Sequence, residues 1–388
     1  MGSILKNIKG DKVIWTVVFL LTIISFLAVY SSTGTLAWKF KGGNTEYYMI
    51  KHAVILFFGL LLMYFAHLVK YTYYSRIFQI ALYIAVPLLL VTLIFGLNIN
   101  EARRVLQLPF NLTFQTSDLA KITLIIYLAR MLTKKQENIK SFKEAFVPLL
   151  IPVLVVCGLI FPANFSTAAI LFTTSMVLIF IGRVRLTYFF GMIGIGIVVL
   201  AMALTILYYM PIEQQGRFGT WKKRIVTFVD GGESVDNYQV EQSKIAIASG
   251  YPFGKGPGNS TQRNFLPHPY SDFIFAIIVE EYGIIGGFIL VLLYLILFFR
   301  AVRIVTKAPG TFGSFLTIGV GFSLVFQAMI NMGVAVNILP VTGQPMPLVS
   351  MGGTSIWFTS LSIGIILSVS KDLESEESLE PVTVEDDE

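Results

Sequence analysis

The sequence predicts an all-α polytopic membrane protein of about ten transmembrane helices, with a large extracytoplasmic loop between helices 7 and 8. Three observations predict it. Hydrophobic residues make up 55% of the 388 and charged residues only 13%, about half the charged share of a soluble protein. The mean hydropathy is +0.73. Apolar runs of about 20 residues, enough to cross a bilayer as a helix, recur along the chain. The formal charge of +6 implies no nucleic-acid partner, because the basic residues fall at the ends of apolar runs, where membrane lipids and topology account for them. The single cysteine, Cys157, lies inside an apolar run and is expected to be an inert core residue.

The first run, Val13–Tyr30, follows Lys6, Lys9 and Lys12. It is too long for a signal-peptide core and lacks a small-residue exit, which suggests an anchor retained in the protein. Further runs lie near 50–69, 77–97, 117–133, 146–163, 165–182, 188–209, 272–300, 313–337 and 348–370. The fifth and sixth nearly fuse around Pro162–Ser166, which leaves nine as the alternative count. Charge favours ten. With the N-terminus inside, sixteen Lys and Arg fall in cytoplasmic segments, against five in the short outer loops, namely Lys39, Lys41, Lys51, Arg103 and Arg104. Both termini are then cytoplasmic. The long loop 210–271 lies outside with its own cations, Arg217, Lys222, Lys223, Arg224, Lys255 and Arg263. Residues 1–371 form one membrane domain, and residues 372–388, with nine acids, form a disordered acidic tail. GKGPG at 254–258 lacks the strand–helix context of a nucleotide loop. Its glycines are expected to let backbone approach a ligand or another helix.

The most informative stretch is 237–283, a polar glycine-rich loop running straight into an apolar helix. Asp272 sits on the seam, and a carboxylate there is costly unless it has a task. Two compatible readings stand: a helix cap made by Ser271 or Asp272, and a general base strengthened by partial burial. Glu280 and Glu281 lie deeper in the same helix. At 100° per residue, Glu280 falls about 80° from Asp272 and Glu281 about 180°. Glu280 is therefore the better placed to share a cavity with Asp272, the alternative being a structural bond to a buried base or to backbone.

The fourth span opens with QTSDLAK, 115–121. Thr116 or Ser117 is its expected cap and Asp118 lies in the first turn. Lys121, a turn deeper, either pairs with Asp118 or faces an inner cavity that receives an anion. Arg103 and Arg104 precede that span in a loop. Adjacent guanidiniums suit phosphate or diphosphate, with headgroup anchoring as the plainer alternative. The turn LPVTGQPMPLVSMGGTS, 339–355, places irregular backbone at the mouth of the last span, which is tolerated only where it is buried in protein or lines a wet cavity. Lys255 in the long loop and Ser350 in this turn complete the substrate-binding candidates. Gln327, Asn331 and Asn337 on the ninth span are expected to bond between helices.

Four segments together resemble the SEDS family of bacterial cell-wall proteins: ARRVLQL with FQTSDLAKI within 102–122, RIVTFVD at 224–230, the stretch 237–287, and FQAMINMGVAVNILPVTGQPMPLVSMGGTS at 326–355. The last of these looks closer to division-type than to elongation-type members. The resemblance implies a peptidoglycan glycosyltransferase. Such an enzyme polymerises lipid II, an undecaprenyl-diphosphate-linked disaccharide peptide, at the outer face of the bacterial plasma membrane, here at the division septum. It puts the family's essential aspartate on Asp272, its fourth-span lysine on Lys121, its arginine pair on Arg103 and Arg104, and its helix-eight glutamates on Glu280 and Glu281. Asn164 stands where many members carry an acid. His268 and Tyr270 replace a glutamate and a histidine, and Pro257 replaces a small or aliphatic residue, so 268–270 are given no catalytic role. The implied partners are a class B penicillin-binding protein, which is a single-span transpeptidase, and other division membrane proteins.

The expected reaction joins a GlcNAc 4-hydroxyl to the anomeric carbon of the growing chain as polyprenyl diphosphate leaves. Asp272 is the expected base, and Arg103, Arg104 and Lys121 the expected hold on the diphosphate. A divalent cation, Mg2+ or Mn2+, is a further candidate. No metal-ligand spacing is legible, so such an ion would bind mainly to the diphosphate. The rival classes are a transporter that flips lipid II along Lys121, Glu280 and Glu281, an elongation-type polymerase, and a scaffold for division proteins.

Overall fold

Each predicted run is a helix in the structure. The computed structural model describes residues 9–99, 102–108, 112–209, 235–308 and 310–377. In chain order its helices are α1 (Lys12–Ser32), the short α2 (Gly34–Lys41), α3 (Thr45–Leu68), α4 (Tyr71–Phe95), α5 (Thr116–Lys134), α6 (Val147–Ile160, entered through a π turn at Phe142–Phe146), α7 (Phe165–Ile181), α8 (Leu186–Tyr209), the loop helix α9 (Val235–Ser249), α10 (Ile274–Lys307), α11 (Thr311–Ala335) and α12 (Thr354–Glu377). Seven of the described helices are long and apolar enough to cross a membrane, and α7 is apolar but shorter. Helix α5 carries Asp118, Lys121, Arg130 and Lys134 among its apolar residues. The protein is a multi-pass membrane protein with α11 and α12 its most buried spans.

Local chemistry sets the boundaries. Asp11 caps α1, its Oδ1 accepting from the Val13 and Ile14 amides at 2.9 and 3.1 Å. Asn164 does the same for α7, accepting from Thr167 N at 3.2 Å. That cap separates the two nearly fused runs into distinct helices, α6 and α7. Helix α12 continues to Glu377, past the expected start of the acidic tail at 372. Glu374 accepts from Gly10 N at 2.8 Å, which ties this last turn to the start of the chain. The segments 210–234 and 378–388, with Arg217, Lys222, Lys223, Arg224 and RIVTFVD, lie outside the described residues.

Contacts between connections sort into two ends. At one end Arg300 bonds Asp11 at 2.7 Å, Lys371 reaches the Leu68 carbonyl at 3.1 Å, and Arg130 bonds Ser75 at 2.6 Å. At the other end, α2 bonds the 263–264 turn through Thr35, the 351 amide bonds the Tyr270 carbonyl at 2.9 Å, and Thr354 bonds the Thr113 carbonyl at 3.2 Å. All the candidate site residues lie toward this second end, here called the loop end.

Two features there were not anticipated. The connection holding the arginine pair is an antiparallel three-stranded sheet, β1 (Leu97–Ile99), β2 (Ala102–Leu108) and β3 (Leu112–Phe114), in the order β1-β2-β3. Arg103 is opposite Asn98 and Leu106 opposite Phe114. A ladder satisfies backbone groups that a plain loop leaves to water. The second feature is a break in α10 at Gly283, where φ is 70° and ψ −167°. The glycine loop fills the break: Lys255 N donates to the Glu280 carbonyl and Gly256 N to that of Glu281, both at 2.9 Å, and Ile284 N donates to Pro252 O at 3.1 Å. A Cβ on Gly254 or Gly283 would collide with backbone of the other segment. These glycines thus serve close approach to a helix rather than to a ligand.

Candidate active site

Asp272 is partly buried and lies just outside α10, which starts at Ile274. The N-cap position is taken by Phe273, whose ring makes no capping bond, so Asp272 and Ser271 stand one and two residues before the position expected of a cap. Instead, Ser271 Oγ donates to the Asp272 carboxylate at 2.8 Å. Its other oxygen looks toward Gly343, where a Cβ would sit 3.7 Å away. With φ at +65°, Gly343 suits the tight turn that brings 339–353 up to the acid. Burial and then the neighbouring charge of Asp272 push the Tyr270 phenol above its ordinary range.

The backbone around the acid is held by buried side chains of α11 and the 344–351 turn. Asn331 Nδ2 donates to the Asp272 carbonyl at 3.0 Å and to the Gln344 carbonyl at 2.7 Å. Ser350 Oγ donates to the Ser271 carbonyl at 2.6 Å and accepts from Met346 N at 2.8 Å. Gln344 reaches Thr167 Oγ1 at 2.8 Å. One turn from Asn331, Gln327 donates to the Pro345 carbonyl at 2.8 Å and accepts from Lys121 Nζ at 3.2 Å. A continuous polar chain thus joins Lys121 on α5 to the backbone of Asp272.

The expected cations do not converge. Lys121 pairs with Asp118 at 2.8 Å, the two side chains 13% and 3% exposed. They line a cleft of about 400 Å³, open mouth included, together with Gln327, Ser355, Thr359 and Ser362. Arg103 and Arg104 line a different, tighter cleft, about 260 Å³ with its open mouth included, with Thr92, Thr116, Ser117 and Asn164. The two clefts flank the first turns of α5, and Gln115 bridges them, donating to Ser117 Oγ at 3.1 Å and to Asp118 Oδ1 at 3.3 Å. The expected caps of α5 are also corrected. The N-cap is Gln115, which makes no side-chain capping bond, and the buried Thr116 hydroxyl has no partner.

Glu280 is fully buried and turned toward the protein. It accepts from Lys255 Nζ at 2.6 Å and from Thr261 Oγ1 and N at 2.9 and 3.1 Å, with Ser260 Oγ as a further donor. Glu281 takes the Ser31 hydroxyl and Ser260 N. Both acids clamp the 255–262 loop onto α10. The angular estimate that aimed Glu280 toward Asp272 assumed a helix from 272, and the helix begins two residues later. Glu280, Lys255 and Ser350, expected to bind substrate, each have protein partners here: Lys255 and Glu280 pair with each other and Ser350 bonds the Ser271 carbonyl. The bonds between helices expected of Gln327 and Asn331 are found for Gln327, which accepts from Lys121 of α5, while Asn331 and the Gln327 amide donate to loop carbonyls. Gln344 and Thr167 carried no signal beyond their polarity. Among the described residues no group of three or more His, Cys, Asp or Glu stands close enough to hold a metal ion.

A family model described as a cell cycle protein, covering FtsW, RodA and SpoVE, matches residues 11–375. The chain belongs to the FtsW/RodA/SpoVE family. It is 31% identical to stage V sporulation protein E of Bacillus subtilis over 381 residues, covering 94% of this chain and 98% of that protein. It is likewise 31% identical to a probable peptidoglycan glycosyltransferase FtsW of Geobacter metallireducens, covering 94% and 96%. Among solved structures, a chain from work on the structural coordination of polymerization and crosslinking by a peptidoglycan synthase complex superposes with a TM-score of 0.72 at 22% identity, covering 94% and 98%. The rod shape determining protein RodA of Thermus thermophilus gives 0.65 at 22%, covering 94% and 97%. At that identity the two structures establish that this FtsW/RodA/SpoVE chain shares their fold.

Proposed function

We propose that the protein is a peptidoglycan glycosyltransferase that polymerises lipid II at the outer face of the plasma membrane, in septal wall synthesis. Both termini are then cytoplasmic and the loop end faces outward. The observation that carries the reading is Asp272: a partly buried carboxylate at the membrane rim whose backbone is fixed from three sides. FtsW is the name borne by most of the similar curated proteins, which supports the division subtype over an elongation role.

In this reading the acceptor's GlcNAc 4-hydroxyl attacks the anomeric carbon of the growing chain. The new C–O bond forms as the bond to the diphosphate breaks; the electron pair leaves with the diphosphate and the hydroxyl proton passes to Asp272. Fixed donors matter most where charge develops, and the arginine cleft offers two guanidiniums for the departing diphosphate. Lys121, already paired with Asp118, faces substrate in the other cleft. The residues around the arginines are cations, hydroxyls and an amide, which do not fit a resident divalent ion. An ion taking part would enter on the diphosphate oxygens.

The partner proposed is a class B penicillin-binding protein. The superposed synthase complex, described as coordinating polymerization and crosslinking, supports it. The experiment is reconstitution with labelled lipid II, with and without that transpeptidase. Glycan chains are the expected product. Movement of lipid II across the bilayer without chains would instead make the protein a transporter.

A further inference from the structure

Two buried atoms without partners carry opposite chemistry on either side of α5. In the arginine cleft it is Thr116 Oγ1, on a residue 1% exposed. It stands at the start of a 19-residue helix that no side chain caps, where the backbone N–H groups and the helix dipole favour an anion. Arg103 and Arg104 line the same cleft. The Thr92 hydroxyl is already spent on the Leu88 carbonyl, one Arg103 nitrogen on that of Ile94, and Asn164 Oδ1 accepts from Thr167 N, but the two guanidiniums keep the cleft positive. In the second cleft the orphan is Asp118 Oδ2, on a side chain 3% exposed. An ionised carboxylate only accepts. Lys121 beside it is balanced by Asp118 Oδ1 and Gln327 Oε1, so this cleft has no net charge. Its wall carries the hydroxyls of Ser355, Thr359 and Ser362. A phosphate group cannot satisfy Asp118 Oδ2 and would be repelled by it, whereas a sugar hydroxyl or an acetamido N–H can donate to it.

We infer that α5 divides one lipid-linked substrate between two subsites: the diphosphate enters the cleft of Arg103, Arg104 and Thr116, and the hydroxyl-bearing sugar enters the cleft of Asp118 and Lys121. This deepens the glycosyltransferase reading and rests on it. It also gives Lys121 a different task from the arginines, with which the sequence grouped it. Gln115, bonded to Ser117 on one side and Asp118 on the other, sets the relation between the two halves.

The test measures binding of two probes to the reconstituted full-length protein: undecaprenyl diphosphate, which has no sugar, and lipid II. Thr116→Val and Arg104→Gln are expected to weaken both probes about tenfold or more, since bonds to charged groups are the strong ones. Thr116→Ser, which keeps the hydroxyl, is expected to restore both. Asp118→Asn is expected to weaken lipid II about tenfold and leave undecaprenyl diphosphate unchanged. The inference is overturned if Asp118→Asn weakens the sugarless probe equally, if Thr116→Val and Arg104→Gln spare it, or if the wild type binds neither probe. Failure of the glycosyltransferase reading shows separately, as a wild type that makes no glycan with its partner while the binding pattern holds.

Discussion

At the scale of single residues, the site is a problem of donors and acceptors more than of charge. Asn331 illustrates it. Its Nδ2 serves the carbonyls of Asp272 and Gln344, so its amide orientation is fixed by two acceptors. Asn331→Leu removes the donor and leaves two buried carbonyls unpaired, which costs about 1–3 kcal/mol. The expected outcome is a lower thermal midpoint together with a fall in kcat at nearly unchanged KM for lipid II. A loss of stability with normal kcat would assign Asn331 to the fold alone. Asp272 itself was legible in the sequence, because an acid on a polar–apolar seam is expensive. The partners of Glu280 were not. A buried acid announces that it has a partner, but Lys255, Ser260 and Thr261 reach it only because the loop folds back onto α10.

At the scale of elements, the helices were legible and their ends were not. Hydrophobic length located all ten runs, since a bilayer sets that length. The break at Gly283 was hidden, because an apolar run with glycines looks the same whether they pack helices or open one. The sheet at 97–114 was equally hidden. Its strands are short, and their pairing is visible only once α4 and α5 stand side by side. The break makes a direct prediction. Gly283→Ala requires an L-residue at φ 70° and ψ −167°, a region essentially confined to glycine, which costs about 1–3 kcal/mol before the collision with Pro252. It should lower the unfolding temperature and speed amide exchange across 252–262. Gly158→Ala, in a helix interior with nothing within 4 Å of the added Cβ, should be neutral or stabilising by about 0.5–1 kcal/mol. Equal effects at the two positions would refute the clamp between the loop and α10.

At the scale of the molecule, the connections gather at two ends, and the proposed topology, argued from the charge asymmetry of the sequence, puts the loop end outside. This is testable with single cysteines in a Cys157→Ser background. Lys41→Cys, at the end of α2, should react with a membrane-impermeant thiol reagent in cells whose outer barrier has been opened. Lys307→Cys, at the far end of α10, should react only after lysis. The reverse pattern would turn the protein over and put Asp272 on the wrong side for wall synthesis. The same view explains why Arg103, Arg104 and Lys121 looked like one cluster in the sequence. They share one end of the bundle, and only the packing of α4, α5, α6, α11 and α12 separates them into two clefts.

The most direct test is Asp272→Asn in the full-length protein, reconstituted with its transpeptidase and labelled lipid II. Asparagine keeps the shape of the side chain and cannot take the sugar's proton. Glycan synthesis should fall by roughly 100- to 10,000-fold, the usual contribution of a general base, while lipid II binding and thermal stability stay close to wild type. Chains formed at more than about a tenth of the wild-type rate would contradict the assignment of Asp272 as the base.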